Sequence, residues 1–124
     1  MIIGIGTDIV KIDRISKIMK RTPNFIKGTF TEEEISYFEM KKNNPETIAG
    51  AFAVKEALSK ALGTGVRGFR LKDIELRHDN LGKPYVVIDN SIRKAFGLNK
   101  CKIHVSISHS REDAVAFVII EEGV

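Results

Sequence analysis

Tryptophan is absent from this chain of 124 residues, cysteine occurs once, tyrosine twice and proline three times. A single thiol, Cys101, cannot close an internal disulfide. That fits a reducing compartment, and the cytoplasm is the expected location. Cysteine or histidine pairs at zinc spacing, CxxC or HxxxH, are missing. So is the G-x-x-x-x-G-K-[ST] loop of nucleoside triphosphatases. No apolar run reaches the roughly 18 residues of a membrane span, so no membrane association is expected. The opening MIIGIGTDIV is broken by two glycines and an aspartate and has no basic stretch before it, unlike a signal peptide. Basic runs interleaved with aromatics are also lacking, which argues against nucleic acid as a partner.

What is present describes an ordinary globular chain. Hydrophobic residues make up 43% and charged residues 29%, enough of each for one self-sufficient domain, expected to span 1–124. Twenty basic residues against sixteen acidic give a net charge of +4. With nucleic acid disfavoured, a phosphate-rich ligand or an acidic protein is the expected partner.

Periodicity orders the elements. From Ile2 to Val10 the chain alternates, Ile3, Ile5, Thr7 and Ile9 on one face and Gly4, Gly6 and Asp8 on the other, the pattern of a strand. Asp13 is a candidate N-cap for a helix through Arg21. Thr31 with Glu34 forms a capping-box pair opening a helix toward Lys42. Asn44 and Pro45 open a longer helix that stops at Gly63. Leu71 to Arg77 and Tyr85 to Ile88 read as a hairpin about a turn at 79–82. Ser91 to Phe96 is a short helix closed by Gly97. Lys102 to His109 and Ala114 to Ile120 complete the order β-α-α-α-β-β-α-β-β. Hairpins mixed with helices predict an α+β domain with a largely antiparallel sheet.

Five places could carry chemistry. Asp8 shares its strand face with two glycines, which leave room for a ligand or for another backbone. Glu56 and Lys60 lie four residues apart on one helical face, either a solvated ion pair or a metal ligand beside a phosphate-neutralising cation. Carboxylates from two elements, completed by phosphates and water, suit magnesium. The segment from Gly63 through Gly65 to Gly68 formally matches G-x-G-x-x-G. A helix precedes it, so it is no dinucleotide fingerprint; it is a helix stop or a phosphate-binding turn. His109, Ser110 and Arg111 stand where a strand exits. Arg14, Lys17 and Arg21, with Lys20 beside them, form a basic helix face, solvated or poised to receive an acidic helix.

Taken together and in order, G-I-G-x-D-I (Gly4 to Ile9), F-A-x-K-E-A-x-x-K-A-x-G-T-G (Phe52 to Gly65), G-K-P (Gly82 to Pro84) and H-V-S-I-S-H (His104 to His109) resemble the bacterial holo-acyl-carrier-protein synthases, a short type of phosphopantetheinyl transferase, over nearly the whole chain. The resemblance implies a phosphopantetheinyl transferase fold. It implies magnesium-dependent transfer of 4′-phosphopantetheine from coenzyme A to a serine of apo acyl carrier protein for fatty acid biosynthesis. It assigns Asp8 and Glu56 as metal ligands, with Lys60 completing the catalytic set. Lys55, Lys60, Gly63, Gly65, His109 and Ser110 would bind coenzyme A, and Arg14, Lys17 and Arg21 the carrier protein. It also implies a homotrimer whose sites lie between subunits. One departure stands out: Ala51 occupies a position where many members carry a nucleotide-binding arginine, so either Lys55 or Arg111 compensates or coenzyme A binds more weakly.

Overall fold

The computed structural model describes residues 1–63 and 69–123. Strand β1 (Ile2–Lys11) leads into helices α1 (Ile12–Arg21), α2 (Phe25–Thr29), α3 (Glu32–Met40) and α4 (Pro45–Leu62). A hairpin of β2 (Ile74–His78) and β3 (Pro84–Ile88) comes next, then α5 (Asn90–Ala95) and a second hairpin of β4 (Cys101–His109) and β5 (Asp113–Glu122). The α+β class stands and every pairing is antiparallel, but the strands divide into two sheets, β1-β5-β4 and β2-β3.

Local chemistry sets the helix limits. At α3 both arms of the capping box are made: the Glu34 amide donates to Thr31 Oγ1 at 3.2 Å and the Thr31 amide to Glu34 Oε1 at 2.9 Å. At α4 the Asn44 side chain accepts from the Glu46 amide at 3.0 Å, Pro45 comes next, and Gly63 ends the helix in the left-handed region at φ +76°. Three expectations need correction. Asp13 is not the cap of α1. Lys11 occupies that position without a side-chain bond, and Asp13 lies in the first turn paired with Lys17 at 3.0 Å. Residues Leu71–Asp73 wind into a 3-10 turn instead of starting a strand, because the Asp73 carboxylate accepts from the Arg70 amide at 2.7 Å. The short α2 has no counterpart among the elements read from periodicity; its five residues are too few to show one.

Helix α4 is the centre of the core. Ile48, Ala49, Ala53, Val54, Ala57 and Leu58 are buried, and the inner face of the larger sheet meets them with Val10, Ala114, Ala116, Val118 and Ile120. In β1 the side that faces α4 is the glycine side. A Cβ on Gly6 would overlap the carbonyl oxygen of Ala57, and one on Gly4 that of Ala61. The glycines therefore admit another backbone, the helix itself. Ile3, Ile5 and Ile9 turn outward and stay exposed. Gly6→Ala is expected to cost at least about 3 kcal/mol through overpacking. Gly28→Ala, whose added methyl meets nothing within 4 Å, should be near neutral; urea melts of the two variants test this.

Candidate active site

The register of β1 carries Asp8 past the two glycines to the same inner face, where only 16% of its side chain is exposed. Across from it stands the Glu56–Lys60 side of α4. Lys60 Nζ lies 3.2 Å from Asp8 Oδ1 and donates to the Thr7 carbonyl at 3.0 Å. Glu56 is half-buried. Burial first, then the charge of Asp8, lift its carboxyl above the usual carboxylate range, while Lys60 and Arg14 pull it down. Two acids from different elements thus face one another beside one lysine, with Arg14 near enough to be felt. Among the described residues no group of three His, Cys, Asp or Glu could hold a metal alone. The oxygen pair nevertheless suits a hard divalent cation, which would relieve its repulsion and take its remaining ligands from phosphate and water.

Other expected residues gather elsewhere. Gly63 caps α4, its amide donating to the Lys60 carbonyl at 3.0 Å, next to the Asp8–Glu56–Lys60 group in the chain. Gly65 lies outside the described residues. His109 sits at the other end of α4, its Nδ1 3.5 Å from Glu46 Oε1. Gly50 makes room for it, since a Cβ there would lie 3.2 Å from His109 Nε2. Ser110 shapes the turn between β4 and β5; its Oγ accepts from the Asp113 amide at 3.1 Å. From Gly50 to Glu56 is six residues, about 9 Å along the helix axis. Arg14, Lys17 and Arg21 share the outer face of α1 around an open hollow of about 430 Å³.

Lys55 does not join any of these. It is fully buried, its Nζ 2.8 Å from Glu34 Oε1 and donating to the carbonyls of Leu71, at 2.8 Å, and Ile74. All three N–H bonds are used. Burial lowers its pKa, opposed chiefly by the Glu34 carboxylate. The expected contact of Lys55 with coenzyme A is therefore corrected, and Lys55 cannot cover for the missing arginine. Ala51 is itself buried at 1% exposure. Arg111 is exposed beside Lys11 and Pro45.

Sequence reasoning missed Tyr37 and His78. Their rings stack at 4.1 Å and 7° as one wall of a cavity of about 230 Å³ that Gly50, Leu76, Pro84 and His109 also line. His78 Nδ1 is buried without a hydrogen-bond partner, and burial lowers the pKa of the ring. The signal lies in the strand ends: strands read to Arg77 and from Tyr85 pair those two residues and set His78 opposite Pro84, as the register does.

Comparison with known proteins bears on what such a site does. The model of the 4′-phosphopantetheinyl transferase superfamily matches residues 4–118. A holo-[acyl-carrier-protein] synthase of Clostridium botulinum is 57% identical over 121 residues, 98% of each chain. Among solved structures, the synthase of Neisseria meningitidis superimposes with a TM-score of 0.88 at 35% identity, covering 98% of this chain and 99% of its own. That of Bacillus anthracis, in complex with coenzyme A (3′,5′-ADP), gives 0.84 at 38% identity and 99% of both. The chain belongs to the 4′-phosphopantetheinyl transferase superfamily, among its holo-[acyl-carrier-protein] synthases.

The mutual influence of the two carboxylates is open to titration. Asp8→Asn should lower the Glu56 pKa, read by ¹³C NMR of the side-chain carboxyl, because it removes a like charge. An unmoved Glu56 would mean the two acids do not sense each other.

Proposed function

We propose that this chain moves the 4′-phosphopantetheine arm of coenzyme A onto a serine hydroxyl of an apo acyl carrier protein, with Asp8 and Glu56 holding Mg²⁺, in the cytoplasm and for fatty acid biosynthesis. The observation that carries the reading is the Asp8–Glu56–Lys60 group: two facing carboxylates and a cation, in a chain related at 57% identity to a synthase of that reaction. When bound, the magnesium ion would draw charge from the pyrophosphate and steady the leaving phosphate.

The chain's own residues supply the rest. The serine oxygen forms a bond to the phosphorus that bears pantetheine, the pyrophosphate P–O bond breaks, and adenosine 3′,5′-bisphosphate departs with the electron pair. Lys60 neutralises phosphate charge. Glu56, directly or through a water, takes the serine proton. The cavity of Tyr37, His78, Pro84 and His109 receives the nucleotide end, a flat aromatic wall meeting a flat base. The Gly63 turn lines the phosphates. The face of Arg14, Lys17 and Arg21 receives the acidic carrier protein.

A homotrimer with sites between subunits accounts for two further facts. The outer face of β1 and β5 exposes Ile5, Ile9, Val115 and Phe117, with Ile9 66% exposed, a continuous apolar surface that another copy would cover. The nucleotide cavity and the carboxylates also lie toward opposite ends of α4, so cavity and carboxylates from neighbouring copies can complete one site. Ile5→Lys on that face should turn the trimer into monomers in sedimentation analysis, and a wild-type distribution would exclude the face as the interface.

Intact-mass spectrometry of an apo carrier protein, incubated with the chain, coenzyme A and Mg²⁺, tests the reaction. A phosphopantetheine mass gain that a chelator removes is expected. Asp8→Ala should lose at least about 100-fold in rate while still docking the carrier. Surviving turnover would remove Asp8 from the chemistry, and docking without any turnover by the unaltered chain would favour a binding module.

A further inference from the structure

The residues that wall the nucleotide cavity come from five elements, among them Tyr37 of α3, Gly50 of α4, Leu76 and His78 of β2, Pro84 of β3 and His109 of β4. Three of these elements are tied together by one buried ion pair outside the cavity. Lys55 of α4 is 0% exposed and Glu34 of α3 is 1% exposed. Glu34 Oε1 takes Lys55 Nζ at 2.8 Å and the Thr31 amide at 2.9 Å, and Oε2 takes the amide of Leu76 at 2.9 Å. Lys55 Nζ also holds the carbonyls of Leu71 and Ile74, where the chain enters β2. Thr31 Oγ1 adds a bond to Glu75 Oε1 at 2.7 Å. The hairpin therefore hangs from α3 and α4 by directional, charge-assisted bonds as well as by apolar packing.

We propose that the Glu34–Lys55 pair is a positioning device for coenzyme A: it sets how far the β2-β3 hairpin stands from α4, and so the width of the cavity that takes the nucleotide. The proposal rests on the proposed function, in which the nucleotide binds in that cavity. Neither residue touches the ligand. Two features favour this over a role in stability alone. Buried ion pairs add little net stability compared with apolar residues of similar size. Their directional bonds fix distances that apolar contacts leave loose. The bonds also end on Leu76, which lines the cavity, and on Ile74, two residues before it.

The test compares coenzyme A affinity by titration calorimetry with kcat and the Michaelis constant for carrier protein. Each single apolar replacement strands a buried charge and is expected to unfold. The double variant Glu34→Leu/Lys55→Met should recover a cooperative melt, yet bind coenzyme A about tenfold more weakly with its Michaelis constant for carrier protein unchanged. Glu34→Asp, which keeps the charges and shortens the reach by one methylene, should fold and show a smaller loss in the same direction. A purely structural role would lower kcat through a smaller active fraction and leave the dissociation constant alone. Wild-type coenzyme A affinity in either folded variant overturns the proposal, Glu34→Asp serving if the double variant does not fold. An unaltered chain that binds coenzyme A but transfers nothing removes the synthase reading and leaves this one standing; one that does not bind it removes both.

Discussion

The constraint on which the arrangement depends is the approach of two backbones. Strand β1 and helix α4 come so near at Gly4 and Gly6 that a single methyl at either would strike a helix carbonyl, of Ala61 or Ala57. Small residues on both sides permit this, and the alternation of a strand then fixes which side chain comes next on the inner face. Two residues beyond Gly6, it is Asp8. A helix held that close presents Glu56 and Lys60 to it. The distance between Lys60 and Asp8 is thus a consequence of packing settled a turn away. Larger residues at the glycine positions would lift the strand from the helix and part the carboxylates, with no change in any group that does chemistry.

Adjacent residues in the F-A-x-K-E-A segment serve opposite purposes because a helix turns by about 100° per residue. Glu56 points toward β1 and the open site. Lys55 points toward α3 and the hairpin, where its charge is enclosed and matched by Glu34. One side of α4 thus holds acids close together in partial contact with water, raising the proton affinity of Glu56. The other holds an acid and a base together without water, where direction matters more than net energy.

Much of this is legible in the sequence. Capping pairs at Thr31 and Asn44, the stop at Gly63 and the turn at 79–82 are short-range chemistry, and short-range chemistry is written locally. Asp8, Glu56 and Lys60 can be named together because the resemblance supplies what spacing alone does not, a reason to join a strand to a helix some fifty residues later. What fails to show has physical causes. Alternation in β1 announces two faces without saying which is inside. Here the isoleucines lie outside, since the inner partner is backbone that only glycine can admit. Lys55 is assigned to coenzyme A by the resemblance, and a lysine is usually exposed. The contrary signal is its stripe: Ala51, Leu58 and Leu62 share its side of the helix, and Ala51 and Leu58 are buried. A lysine among them needs an acid from elsewhere, and nothing local identifies Glu34.

The distribution of charge explains more than its sum. A net +4 implies only a preference for anions. In the structure the cations stand in separate places with different neighbours. Lys60 leans on Asp8, Lys17 on Asp13, and Lys55 is enclosed with Glu34. Arg14 lies at the junction: on the outer face of α1 with Lys17 and Arg21, and near enough to Glu56 for its charge to oppose the lifting of that carboxyl. The basic face therefore adjoins the carboxylates. An acidic protein drawn to that face by electrostatic attraction arrives beside an acid whose proton affinity is raised by both burial and a neighbouring carboxylate. The basic face and the carboxylates adjoin because α1 begins at Ile12, four residues after Asp8, and packs against α4.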